Sequence, residues 1–423
     1  MSSITITGNK PLKGEVEISG SVNSALKLII ASLLTTEDVF LTNIPNVEFI
    51  QKELKIIQEL GGQYEWLSKN FLKINNSKLS SSKIPLFLGK DLMTSFLFAG
   101  PLLYRFGEAQ IPLPTEGIDS VMRFISTWSM LNIEINYDRE FVYLRSDNAK
   151  SGRIELDKPS QMDTTNAILS SIFLNGTTSI INSSEDYEIE DLIGFLNSLG
   201  GEIKKENKKV ISISGKDHFR SSNFSCVSES SEAVFFSVLA LVTNGNILIK
   251  NLEKKNLSVF VSLLNKLGAN YEFVGDDSLR VWRKNESYSS FDLDLTNYPP
   301  TVSSFLPFLV FLSLKCEGTS KFVSENYKDK FDFVFLLNKF NSKIKLYSTG
   351  KDYEPCELYV NGITDLKMSE ISIENYFNSP IVLMSALTIE GEVAINNSEK
   401  LEYVFENLIQ KVVELGGNIK YDW

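Results

Sequence analysis

A chain of 423 residues exceeds what one ordinary core holds, so two or three domains are expected. Hydrophobic residues at 43% and charged ones at 22% exclude a disordered or fibrous chain. A net charge of −11 argues against nucleic acid, which needs Lys and Arg against its phosphates; a single histidine, His218, nearly excludes a Ser-His-Asp triad or a histidine metal site.

The chain begins MSSITITGN, an alternation that predicts a strand over Ser3–Thr7 and not a leader peptide. That strand is expected to pair beside the closing strand at Asn418, Ile419 and Lys420. Next comes SALKLIIASLL, apolar on nearly every side and therefore a buried helix. The same kind of run returns as SFLFAGPLLY, NAILSSIFL, EAVFFSVLALV, SSFLPFLVFLSL and PIVLMSALTI. The most apolar stretch, Phe305 to Leu314, has about half the length that spans a bilayer.

Between these runs lie helices with one apolar stripe. Ile50, Leu54 and Ile57 oppose Lys52, Glu53, Lys55 and Glu59, so this helix is expected on the surface with those four in water. Each such helix stops at a recurring phrase: at Leu60-Gly61-Gly62, Leu131-Asn132, Leu199, Leu267, Phe340 and Leu415. The intervals run from 68 to 75 residues, the beat of an internal repeat. Gly or Asn there supplies the left-handed position that ends a helix. Six units of about 70 residues cannot each bury a core, whereas two groups of three can. An α/β fold of two domains is therefore expected, residues 17–227 and residues 1–16 plus 228–423. Cys226, Cys316 and Cys356 show neither metal nor redox spacing and fit a reducing cytoplasm.

Six units at this period, opened by GEVEISGSVNSALKLIIASLL, resemble the enolpyruvyl transferases over the whole chain. LKGEVEISGSVNSAL, GPLLYRFGEAQIPLP and YEIEDLIGFLNSLGG are similar to the UDP-N-acetylglucosamine branch; SESSEAVFFSVLALVTNG is similar to that branch and to the 5-enolpyruvylshikimate-3-phosphate branch. The resemblance implies two domains of three units each, buried helices within helices and sheets, and an active-site cleft between the domains. It implies transfer of the enolpyruvyl group of phosphoenolpyruvate onto an acceptor such as a sugar nucleotide, in the cytoplasm, with no cofactor, metal, nucleic acid or membrane. The buried helices would aim their N-termini at the cleft, and together these attract anions. Those starts carry Asn23 and Ser24, Thr94 and Ser95, Thr164 and Thr165, Ser230 and Ser231, Thr301 to Ser304, and Asn378 and Ser379. Taken singly, each is explained as a helix cap.

Position by position, the chain departs from the family's charged groups. Val22 stands at the family's lysine, Met93 at an arginine, Val302 at the aspartate base and Phe377 at the last helix's arginine. LPTEGID replaces a longer loop that carries a cysteine acid, and Asp119 falls near that loop's arginine. Several candidates remain. Glu229, Glu232 and Lys330 are implied as catalytic groups, and Asn23, Ser95, Ser160, Gln161, Thr301 and Lys328 as substrate-binding ones. Lys90 adds charge before the second buried helix, and Arg105, past its end, reads as structural. Three functions stay open: a re-purposed transferase acting on a small hydroxyl- or amine-bearing metabolite, a non-catalytic binding or regulatory protein, and the UDP-N-acetylglucosamine enzyme with relocated groups.

Overall fold

The computed structural model describes residues 2–90, 92–115, 118–283, 287–296, 298, 300–325, 331–348 and 355–422. The chain divides into two units, Gly20–Val227, and Met1–Ser19 with Ser228–Trp423.

In Gly20–Val227 the helices are α1 (Val22–Ala31), α2 (Glu48–Glu59), α3 (Leu86–Gly89), α4 (Ala99–Phe106), α5 (Met122–Met130), α6 (Gln161–Ser171) and α7 (Tyr187–Ser198). Ser21 starts α1 by accepting from Ser24 N–H at 3.4 Å, and everything from Ser24 to Ala31 is buried. A tight turn, Met93–Phe98, leads into α4, and α6 is buried from Asp163 onward. These apolar segments share one core with the inward faces of α2, α5 and α7. Phe96 stacks on Phe124 at 5.3 Å and on Trp128 at 6.1 Å, and the Trp128 indole donates to Asn166 and Ser170, both at 3.1 Å. Two four-stranded sheets flank this core. Their orders are Ser222–Ser225, Asp38–Thr42, Phe71–Asn75, Gln63–Ser68, and Arg153–Glu155, Thr177–Ile181, Val210–Ser214, Glu202–Asn207. In both, the first pair is parallel and the later pairs antiparallel. Strands Glu108–Pro112, Phe141–Arg145 and Glu134–Tyr137 form a third, antiparallel sheet.

The other unit contains α8 (Ser230–Val242), α9 (Ser258–Leu267), α10 (Pro300–Ser303), α11 (Leu306–Ser313), α12 (Asp332–Lys339), α13 (Ser379–Thr388) and α14 (Leu408–Glu414). α8 is buried along its whole length, and α11 and α13 pack on it and on each other. Three four-stranded sheets repeat the parallel-then-antiparallel scheme. Ser3–Thr7 is interior to one of them, between Glu392–Asn396 and the closing strand Asn418–Asp422, and its Ile4 and Ile6 are fully buried. Lys13–Glu17 pairs with Asn246–Lys250, which holds the chain in this unit until Ser19.

The helix stops follow the expected chemistry. Gly61, Asn132, Gly200, Gly268, Asn341 and Gly416 all have positive φ. One expectation is corrected: Glu53, assigned to the solvent face of α2, is 0% exposed. At 100° per residue it falls between Ile56 and Ile57 on the helix circumference, within the buried face. Among the described residues no helix is long and apolar enough to cross a membrane.

Candidate functional site

At the start of α1, polar groups converge from α7 and the segment before it. Ser21 Oγ donates to Glu188 Oε1 at 3.0 Å, and Ser24 Oγ donates to Asp191 Oδ2, which also accepts from Val227 N–H at 3.3 Å. Helical side chains lean toward the N-terminus, so Lys27 returns its ammonium to the first turn. There Nζ donates to the Asn23 carbonyl at 2.9 Å and lies 3.9 Å from Glu188 Oε2. Lys27 is 2% exposed. Burial holds its pKa below the usual lysine value, opposed by the charges of Glu188 and Asp186. Asn23 is exposed, and Val22 is half-buried against the core.

The Met93–Phe98 turn places Ser95 in the interior, its hydroxyl without a hydrogen-bond partner among the described residues. Thr94 is half-buried and its Oγ1 donates to Glu53 Oε1. At α6, Ser160 is the cap, accepting from Asp163 N–H at 3.3 Å, and Gln161 is half-buried. Arg123 of α5 meets Asp163 Oδ1 at 3.1 Å. Burial raises the Asp163 pKa, and Arg123 and Ser160 oppose that rise. Thr164 Oγ1 accepts from Ser184 N–H at 2.9 Å, and Ser184 donates to Asp186, so the segment that serves α1 also touches α6.

In the other unit, Glu229 caps α8: its Oε1 accepts from Ser231 N–H at 3.1 Å and Ser231 Oγ at 2.7 Å. Glu232, fully buried, accepts from Ser19 N–H at 2.9 Å, Ser19 Oγ at 2.7 Å and Lys411 Nζ at 2.5 Å. These contacts use both of its oxygens, and the arrangement ties Lys13–Glu17 and α14 to α8. Thr301 is half-buried and its carbonyl accepts from Ser304 N–H at 3.2 Å and Oγ at 2.5 Å. Val302 is buried, Phe377 is 68% exposed, and Ser379 Oγ is buried without a partner among the described residues. Lys328 and Lys330 lie outside the described residues. Arg105 donates to the Leu33 and Thr35 carbonyls at 2.9 and 3.3 Å and to Asn76 O at 2.9 Å, a structural use.

The geometry thus brings Asn23 together with a cluster that residue-type reading passed over: Lys27, Asp186, Glu188 and Asp191. A lysine inside SALKLIIASLL was the available signal, since lysines are almost never buried unpaired. Arg123 and Glu53 were likewise missed, and helical phase alone points to Glu53. Among the described residues no group of three or more His, Cys, Asp or Glu is set to hold a metal. The acids around α1 have the Lys27 ammonium as counter-charge.

Residues 6–345 match the family described as EPSP synthase (3-phosphoshikimate 1-carboxyvinyltransferase). UDP-N-acetylglucosamine 1-carboxyvinyltransferase 1 of Legionella pneumophila (strain Lens) is 30% identical over 98% of this chain and 82% of its own. UDP-N-acetylglucosamine 1-carboxyvinyltransferase of Finegoldia magna is 27% identical over 99% of both chains. Among solved structures, the enolpyruvyl transferase NikO from Streptomyces tendae superposes with a TM-score of 0.87 at 17% identity over 99% of both chains. EPSP synthase from Acinetobacter baumannii gives 0.79 at 16% identity over 100% of both. At such identities the likeness is one of fold. With the family match across most of its length and a 30% identical relative beside it, the chain belongs to the enolpyruvyl (carboxyvinyl) transferase family typified by EPSP synthase.

Proposed function

We propose that this protein transfers the enolpyruvyl group of phosphoenolpyruvate to a small hydroxyl- or amine-bearing metabolite, using working side chains unlike those of its relatives. The observation that carries the reading is coverage: relatives named as carboxyvinyltransferases match 98–99% of the chain and 82–99% of their own length. Against that scaffold, Val22, Met93, Val302 and Phe377 stand where the resemblance implies charge. One charge-assisted contact is worth about 3 kcal/mol in a transition state, so losing several disfavours the usual, strongly anionic pair of substrates.

In this reading Asn23, Ser95, Ser160, Gln161, Thr301 and Lys328 hold substrate. Glu229, half-buried at the start of α8, and Lys330 are the acid–base pair. Glu232, engaged by Ser19 and Lys411, keeps that start in place. The deciding assay supplies phosphoenolpyruvate with a panel of acceptors, including UDP-N-acetylglucosamine and shikimate-like acids, and follows phosphate release and the mass of the acceptor. Phosphate release with a mass gain on a small acceptor is the expected result. A folded sample that binds phosphoenolpyruvate but makes no product with any acceptor would sink the transferase reading and leave a binding protein. A second reading, transfer onto UDP-N-acetylglucosamine itself, is favoured by the 30% identity to the Legionella protein of that name. Turnover confined to that acceptor would select it.

A further inference from the structure

Nothing above gives Glu53 a task. It sits on the inner face of α2, 0% exposed, and Oε1 accepts from Thr94 Oγ1 while Oε2 has no hydrogen-bond partner among the described residues. Thr94 is half-buried and opens the turn that leads into α4. Beside it, Ser95 is fully buried with its own hydroxyl unpartnered. One end of the Glu53–Thr94 pair is therefore sealed in the core, and the other belongs to a half-buried residue that precedes Ser95, a residue assigned to substrate.

Such a shell favours the neutral acid. Burial pushes the Glu53 pKa up to about 8, and the Thr94 hydrogen bond opposes the rise. On the elements packed against α2, the charged side chains are Lys27 of α1 and the exposed Glu65 of Gln63–Ser68; α3 and the Met93–Phe98 turn carry none. Asp91 lies outside the described residues. Lys27 is engaged by Asn23 and Glu188, and neither Lys27 nor Glu65 moves the Glu53 titration.

We propose that Glu53 and Thr94 form a two-member proton relay whose outer end, the Thr94 hydroxyl, serves bound substrate. The proposal rests on the transferase reading. When an acceptor hydroxyl adds across the enol double bond, a new C–O bond forms at the enol carbon and the methylene carbon takes up one proton. With the neutral acid's proton on Oε1, facing Thr94, the Thr94 hydroxyl turns outward, gives that proton and receives one from Glu53, which becomes a carboxylate; the acceptor's own proton is taken by the Glu229–Lys330 pair and passes to solvent. When the C–O bond to phosphate then breaks, the new methyl carbon returns a proton to Thr94, and Thr94 returns one to Glu53. No oxidant or other reactant is needed. A donor titrating near the working pH suits such a step.

The test uses the full chain. Glu53→Gln keeps the shape and an acceptor for Thr94 but has no acidic proton. It is expected to lower kcat about a hundred-fold with KM for phosphoenolpyruvate little changed, and to abolish the fall in activity as pH rises through about 8. Thr94→Val is expected to act alike, and Thr94→Ser to recover what Thr94→Val loses. A Glu53→Gln enzyme with wild-type kcat and pH profile overturns the relay. Infrared difference spectra give a readout independent of turnover. A carboxylic-acid band at neutral pH, absent in Glu53→Gln, is expected to shift on adding phosphoenolpyruvate to the wild type but not to Thr94→Val. A band that stays still while phosphoenolpyruvate demonstrably binds overturns the relay and leaves the transferase reading intact. Failure of phosphoenolpyruvate to bind, with the band present, overturns the transferase reading and the relay's service to it.

Discussion

Glu53 and Lys27 are both ionisable and both enclosed, and their surroundings lead to different expectations. Burial, opposed by the Thr94 hydrogen bond, holds the Glu53 proton up to about pH 8 in the folded chain, whereas the unfolded chain releases it near 4.5. Between those values the folded state binds more protons, so stability contributed by the neutral acid is complete below about 4.5 and is lost as pH rises through about 8. Each pKa unit carries about 1.4 kcal/mol. Glu53→Gln is therefore expected to flatten the decline of the melting temperature between pH 5 and 8, and to exceed wild type by about 1–3 kcal/mol at pH 8. Parallel pH dependence in the two proteins would refute it. Lys27 instead lies among Glu188, Asp186 and Asp191. Lys27→Met would strand those carboxylates, so a loss of about 3–5 kcal/mol is expected, with part recovered by adding Glu188→Gln. Additive losses in calorimetry would show that the two do not act as a pair.

Where elements end, local chemistry decides, and that is why the helix stops were legible. Gly61 and Gly200 follow α2 and α7 with φ of +98° and +103°, a conformation that costs other residues about 1–2 kcal/mol. The two differ in surroundings: a Cβ on Gly200 meets nothing nearer than 4.0 Å, whereas one on Gly61 meets the Lys78 carbonyl at 2.6 Å. Gly200→Ala is expected to cost about 1 kcal/mol and Gly61→Ala distinctly more, measured by denaturant unfolding; equal losses would refute the steric contribution. Side-chain tasks were less legible because they depend on partners far along the chain. Glu229 and Glu232 share one helix, yet Glu229 bonds two residues away whereas Glu232 reaches 213 residues back to Ser19 and 179 forward to Lys411. The same holds at α1. The residue type at Val22 leads to the expectation of no cation at this turn, but the direction of helical side chains brings the Lys27 ammonium back to it. Phase was the neglected signal at Glu53, since counting it among polar residues ignored where it falls between Ile56 and Ile57.

At the scale of the molecule, the path of the chain makes the two units unequal in how they can be separated. Gly20–Val227 is one continuous segment with its own core, and its ends meet, since Ser21 N–H donates to the Val227 carbonyl at 2.7 Å. The other unit is assembled from two segments. Its Ser3–Thr7 strand lies between Glu392–Asn396 and Asn418–Asp422 and supplies Ile4 and Ile6 to the core, while Lys13–Glu17 forms the edge beside Asn246–Lys250. Without residues 2–19, three partner strands each lose a ladder and α8 loses the contacts of Ser19 with Glu232. Residues 20–227 made alone are expected to melt cooperatively with dispersed amide resonances, and residues 228–422 made alone are expected to aggregate. The remedy is geometric: Ser19 O accepts from Glu229 N–H at 2.9 Å, so a short glycine linker can join residue 19 to residue 228 without crossing the fold. That fusion is expected to be monomeric and cooperatively folded, with the amides of residues 3–7 and 392–396 among the slowest to exchange. An equally soluble, cooperatively melting 228–422 fragment would show that the first strand is dispensable, and the assignment of Ile4 and Ile6 to the heart of this unit would fall.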